Sequence, residues 1–231
     1  MAPGEDPGLS ELKIDNFHDL YRWKPWKPEI YQDYDAPIVG YVDGRFKPLI
    51  ANFGFVPRAI QKERIEAAKA AGKKPDIMRT VMNVRDDNVA KSSWFAPTWR
   101  AGRRCLIPAK YVLEPSYPEA YQDQDGKWVL GPCVWQSIGV IDHPTMCVAG
   151  IWQTLRRRDG TEVNAMAMLT VNADGHPLMS HMHKPADEKR LVVILRPDDW
   201  EEWLTTPNVE AARTMLQLYP ADEMSAEPKL L

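Results

Sequence analysis

Residues 103–114, RRCLIPAKYVLE, open a series of β-forming segments whose reading decides the fold. Two arginines lead into an apolar run, and the run closes on a single carboxylate, Glu114, followed by Pro115. Three more stretches of the same kind follow: KWVLGPCVWQSIGVI (127–141), TMCVAGIWQTLRR (145–157) and VNAMAMLTVNA (163–173). All are rich in β-branched and aromatic residues, and the turn signals QDGK, DHP and RRDG separate them. LVVIL (191–195) reads as another strand. Upstream, GYVDGRFKPLIANFGFVP (40–57) reads as a hairpin around Asp43 and Gly44. Strands that mostly follow one another predict an α+β chain with a largely antiparallel, barrel-like β core flanked by helices. A single domain over 1–231 is the simplest organisation, with residues 1–8 disordered.

The helical segments lie around this core. LSELKIDNFHDLY (9–21) has helical spacing, with Ser10 as its cap. RAIQKERIEAAKAAGKK (58–74) is Ala-rich and basic, and reads as a solvated surface helix or a contact for phosphates. SSWFAPTWRAG (92–102) reads as a short capped helix ending at Gly102. GHPLMSHMHKP (175–185) begins a short helix and a loop, while DDWEEWL (198–204) and VEAARTMLQLY (209–219) close the chain as helices.

Composition excludes several classes. The formal net charge of −3 advertises no global basic field, although a local basic patch is compatible with it. No stretch approaches the roughly 18 apolar residues of a membrane span. MAPGEDPGLSELK (1–13) lacks the apolar region of a secretion signal, so a cytoplasmic location is expected. Cys105, Cys133 and Cys147 form no C-x-x-C pair, which suits a reducing compartment; Cys105 reads as a buried, inert thiol, Cys133 and Cys147 also lie in strand-like runs, and no Cys/His spacing marks any of them as a nucleophile.

Several polar residues stand out. His176, His181 and His183 fall within HPLMSHMH, without the surrounding ligands of a metal site, so proton transfer is the better functional reading and a solvated loop the bland one. Glu114 is either a strand-end carboxylate that meets water or a general acid/base with a raised pKa. In MNVRDDN (82–88), Asn83 and Arg85 are two apart and share a side of an extended segment, where an amide and a guanidinium suit a carbonyl or a phosphate, or a loop backbone. Arg103 and Arg104 either bind phosphates or flank a strand.

In order, Asn83-x-Arg85, RRCLIPA with Glu114 downstream, AGIW (149–152), LTVNADGHPLM (169–179), MHKPADEKR (182–190), VVIL (192–195) and a Trp-rich helix resemble the SOS-response-associated peptidase (SRAP) family of abasic-site processing proteins over about residues 35–204. The resemblance implies a protein that binds single-stranded DNA at abasic sites. Family members are thought to expose a cysteine by removing their own initiator Met. Its amine and thiol condense with the sugar aldehyde as a thiazolidine. Carried over, Glu114 and His183 match the catalytic acid/base pair, and Asn83 the residue that orients the N-terminus and sugar. Arg85 matches a phosphate contact, Thr170 a pocket position, and Phe53 a stacking position. Arg103 and Arg104 join the DNA-binding set. No cofactor, metal, membrane or obligate protein partner is implied, and DNA binding would place the protein on the nucleoid.

The chain departs from the pattern at its start, which reads Met-Ala-Pro, with no cysteine in the first thirty residues. Lys110 and Tyr111 replace the usual Asp-Gly, and Pro115 stands where an aromatic is common. Without the thiol, three readings follow: a native start that differs from this one, an α-amine such as that of Ala2 forming a reversible Schiff base with lyase character, or a divergent module that binds single-stranded DNA without cross-linking. A hydrolase acting on other amides or esters lacks a serine or cysteine visibly paired with a base.

Overall fold

A computed structural model describes residues 12, 17–75 and 81–229. The expectations for residues 1–8, for the start of the 9–21 helix and for the Ala2 amine lie outside the described residues. The strands are β1 (Asp35–Val42), β2 (Arg45–Phe53), β3 (Asn83–Arg85), β4 (Arg104–Ala109), β5 (Val112–Ser116), β6 (Tyr121–Gln122), β7 (Trp128–Val129), β8 (Val134–Val140), β9 (Met146–Arg156), β10 (Glu162–Asn172), β11 (Arg190–Val192), β12 (Ile194–Leu195) and β13 (Met224–Pro228). The α-helices are α1 (Phe17–Trp23), α2 (Arg58–Ala70), α3 (Asp86–Val89), α4 (Ala96–Arg100), α5 (Trp200–Thr205) and α6 (Val209–Thr214).

The β1–β2 hairpin forms as its sequence demands. Val42 pairs with Arg45, which leaves Asp43 and Gly44 as a two-residue turn with φ of 52° and 73°. Positive φ at both positions matches the right-handed twist of the flanking strands, and Asp-Gly tolerates it. From this hairpin a five-stranded barrel closes in the order β2, β1, β4, β9, β10. Neighbours are antiparallel except at the closure, where β10 runs parallel to β2 with Ala165 opposite Asn52 and Met166 opposite Phe53. β3 continues the line parallel along β10, and β11 and β12 add to β10 and β9. A separate antiparallel sheet, β13–β8–β5, packs beside the barrel.

Alternation along the strands divides the apolar residues between two cores. Val39, Leu106, Ala149, Ile151 and Leu169 pack with Phe95, Trp99, Trp200 and Trp203 of the helical side. Ile38, Cys105, Ile107, Val148 and Met166 pack with Ile138, Val140 and Met224 of the smaller sheet, and with Met179 and Met182. Gly150 sits where the second core is tightest, since a Cβ there would stand 2.8 Å from the Ile107 Cδ1 and 2.9 Å from the Cys105 Sγ.

Several segments differ from their sequence reading, among them KWVLGPCVWQSIGVI, which is β7 and β8 in separate sheets. RRCLIPAKYVLE is two strands in two sheets, broken at Lys110 and Tyr111, so Glu114 is the middle residue of β5 and not a strand terminus. LVVIL is also two strands. Val193 lies between them, donating its N–H to Leu169 and accepting from Ala149. Strand β13 falls in the polar tail beyond the last expected helix. Of the cysteines, Cys105 and Cys147 are buried, whereas Cys133 precedes β8 and is exposed.

Candidate active site

Glu114 on β5 pairs across the strand with Gln136 of β8. The Gln136 amide donates to Ser116 Oγ at 3.1 Å, and Ser116 donates to the Val134 carbonyl at 2.9 Å, which fixes the strand end beside Glu114. The free edge of β5 then captures the histidine loop. Ser116 bridges Met182, and the His183 N–H donates to the Pro115 carbonyl at 2.6 Å. Buried Met179 and Met182 anchor that loop in the second core, while His181 between them is exposed. The result brings His183 Nε2 to 3.4 Å from Glu114 Oε2.

His183 holds φ of 58°, a left-handed conformation that an unbranched-Cβ residue reaches only at some cost in energy. Lys189 maintains it. This lysine is 8% exposed, and its ammonium donates to the Met182 carbonyl at 2.8 Å and the Lys184 carbonyl at 2.7 Å, one on each side of His183. Its backbone N–H is held by Asp174 Oδ1 at 2.9 Å. Within KPADEKR a lysine reads as one more surface charge, so nothing in its pattern marks it as a clamp.

The electrostatics of the pair are inverted. Burial raises the Glu114 carboxyl to about 7, with no cation or hydrogen bond to oppose it. Desolvation, the largest cause, lowers the His183 imidazole below its ordinary value; a backbone hydrogen bond at Arg190 opposes this and the Lys189 charge adds to it. The 3.4 Å contact has ion-pair distance but not hydrogen-bond geometry, and Nε2 is buried without a hydrogen-bond partner among the described residues. With the carboxyl raised to about 7, a large share of molecules near neutral pH carry a protonated Glu114 beside an imidazole whose lowered pKa favours its neutral form. That arrangement offers a general acid and a general base side by side, with pKa values pushed apart by their surroundings.

Beyond the histidine loop lies a row set by β10. Phe53, Asn83 and Arg85 stand opposite Met166, Met168 and Thr170. Phe53 is half-buried, whereas Asn83 and Arg85 are exposed on either side of buried Val84. Arg85 is bound by carboxylates: Asp87 takes its Nε and Nη2 at 3.1 and 3.0 Å, and Glu188 takes Nη1 at 2.6 Å. Glu188 also accepts from Asn172 at 3.0 Å and Arg190 at 2.9 Å, which joins the loop of His183 to the strand of Arg85. No described contact joins Asn83 to Glu114 or His183.

Two expected DNA contacts are structural instead. Arg104 is 1% exposed. Its Nε donates to the Trp203 carbonyl at 2.6 Å and its Nη2 to the Thr206 carbonyl, so it caps the C-terminal end of α5 from within and cannot reach a phosphate. Thr170 is buried, and its hydroxyl accepts from Arg190 Nε at 3.0 Å. Arg103 is exposed and lies over the Trp152 ring at 5.6 Å. Among the described residues no group of three or more His, Cys, Asp or Glu could hold a metal ion, and no helix is long and apolar enough to cross a membrane.

The closed barrel is a fold also found in solved bacterial proteins. The chain is similar to a protein of Bordetella bronchiseptica at 26% identity and a TM-score of 0.68, with 89% of each chain covered. A protein of Bacteroides thetaiotaomicron has the same fold at 17% identity and a TM-score of 0.67, covering 95% of this chain and 86% of that one. A phage-related protein of B. bronchiseptica follows at 18% and 0.58, covering 87% and 80%. No curated protein matches. The family model for SOS response associated peptidase (SRAP) matches residues 30–228, so the chain belongs to the SRAP family, with a DNA-damage-associated function. The match runs beyond the sequence motifs to include β13.

Proposed function

We propose that this protein processes abasic sites in single-stranded DNA, with Glu114 and His183 as its proton-transfer pair. The observation that carries this reading is the pairing of two withdrawn groups, His183 Nε2 at 3.4 Å from Glu114 Oε2, where burial raises the carboxyl to about 7 and lowers the imidazole from its usual value. The ring-opened abasic sugar presents an aldehyde. His183 takes a proton from the attacking amine, and Glu114 protonates the aldehyde oxygen as the C–N bond forms. Loss of that oxygen as water gives a Schiff base. The α-amine of Ala2, exposed by removal of Met1, is the nucleophile. With no thiol beside it the adduct stays reversible, and β-elimination of the 3′ phosphate becomes available. Asn83 orients the sugar, while Phe53, Arg85 and Arg103 meet the strand.

The test is a denaturing gel of the protein with single-stranded DNA carrying one abasic site, with and without borohydride. The expected result is an adduct only with borohydride, lost in Glu114→Gln, together with strand cleavage without it. An adduct that survives without borohydride would replace the amine with a thiol. Salt-sensitive binding with neither adduct nor cleavage would leave the divergent binding module, the reading favoured by Ala2 in place of cysteine.

A further inference from the structure

Helix α2 is poorly explained by packing. Its thirteen residues bury Ile60 alone, and the remainder of the helix lies at or near the surface. A helix with so little apolar contact presents most of its side chains to solvent. It displays cations: residues 58–74 carry six basic residues against two acidic ones, in a chain whose net charge is −3. One of the two acids is already occupied, because Glu63 accepts from Arg157 at 2.6 Å and from the Arg158 backbone N–H at 3.0 Å. Lys62 and Lys69 are seven residues apart and share the outward face, about 10 Å from one another along the axis.

These cations differ from those of the Arg85 row. There, Asp86, Asp87 and Glu188 take up the guanidinium groups of Arg85 and Arg190. Among the described residues, no carboxylate pairs with Lys62, Arg64, Lys69, Lys73 or Lys74. Cations held only by water and counterions are the ones whose release of counterions favours binding to a polyanion.

The position of α2 names the polyanion. Phe53, Asn83 and Arg85 lie in line along β10, and the chain turns from Phe53 directly into α2 at Arg58. The Gly54 N–H donates to the Met166 carbonyl at 3.0 Å, which ties this turn to the same strand. The bond between Arg157 and Glu63 sets α2 toward the β9–β10 turn, at the Phe53 end of the row. A strand laid along the row from Arg85 to Phe53 therefore runs out onto α2. We infer that the outward face of α2, centred on Lys62 and Lys69, is a second phosphate-binding surface that holds the DNA flanking the lesion. This rests on the reading of the row as a single-strand site.

The experiment compares the full chain with the Lys62→Gln/Lys69→Gln variant, by fluorescence anisotropy on undamaged oligothymidylates. One is about six nucleotides long, the span of a compact single-strand site, and the other about twenty. The variant is expected to bind the long strand about ten-fold more weakly, with the slope of log K against log salt reduced by about 1.4 for two lost phosphate contacts, while binding of the short strand is unchanged. Lys127→Gln, in the turn between β6 and β7, controls for net charge and should move neither. Unchanged affinity for the long strand overturns the inference, as does an equal loss for both lengths. If the unaltered chain binds neither strand, the single-strand reading falls and α2 falls with it; if it binds both, the variant alone decides.

Discussion

Arg104 and Glu114 come from the same short stretch of sequence and are both withdrawn from water, yet they have opposite fates. Arg104 finds two backbone carbonyls at the end of α5 and packs against the rings of Trp99 and Trp203. Glu114 has no hydrogen bond among the described residues, and its side chain is 15% exposed against a histidine. A buried charge tied to backbone carbonyls serves the fold, even with Arg104 Nη1 left without a partner among the described residues. A buried charge left without partners shifts its pKa instead, and a shifted pKa is usable chemistry. The helical side of the barrel is therefore a frame, and the small sheet beside it carries Glu114 against the loop of His183.

The largest test of that contrast is Arg104→Ala. It removes a buried cation and strands the Trp203 and Thr206 carbonyls, at about 4 kcal/mol. Thermal unfolding should show a midpoint roughly 10 °C lower. A midpoint that did not move would dissolve the distinction between the two sides. Next is Lys189→Met, which deletes two charge-assisted hydrogen bonds and should cost about 3 kcal/mol. Because those bonds hold the backbone on both sides of His183, lesion processing should fall even below the unfolding temperature, with binding of undamaged DNA unchanged.

Glu114→Gln sharpens the comparison through pH. Folding raises this carboxyl from 4.5 to about 7, so between those values the folded state keeps a proton that the unfolded chain has lost. Its favourable contribution is complete below about 4.5 and is lost as the pH rises through about 7, a swing of about 3 kcal/mol. The Gln variant should lack that swing in denaturant unfolding and be about 2 kcal/mol more stable at pH 8. Processing should fall at least about a hundred-fold. In the unaltered protein the rate should decline above about pH 7 as the acid ionises, and decline at low pH as His183 protonates. The smallest effect is that of His183→Gly. It relieves the left-handed backbone and should leave stability level or about 1 kcal/mol higher, while abolishing processing. A large destabilisation there would mean that the imidazole serves packing.

Much of the fold is legible because its signals are local. Asp43 and Gly44 fix a hairpin, period-two alternation fixes strands, and the order of motifs fixes the family. What is not legible is destination. Nothing in RRCLIPAKYVLE tells that β4 joins the barrel and β5 another sheet, because both present the same alternation. The division of LVVIL at Val193 is hidden for the same reason. Arg104 and Thr170 look available for DNA until Trp203 and Arg190 arrive from distant segments. Glu114 and His183 are found through the family pattern. Their proximity depends on the bridge between Ser116 and Met182, which no spacing rule foretells.

The parallel closure of the barrel has a consequence for how the protein is made. Asn52 emerges from a ribosome long before its partner Ala165, so the edge of β2 must wait through the synthesis of β3 to β9. Contacts of such sequence separation form late and slowly, and an unpaired edge is open to other chains in the meantime. The row of Phe53, Asn83 and Arg85 is assembled on β10 and exists only once that edge is sealed. A nascent copy with its barrel unclosed would lack the aligned row of Phe53, Asn83 and Arg85, so the surface they form is available only after the last barrel strand is in place.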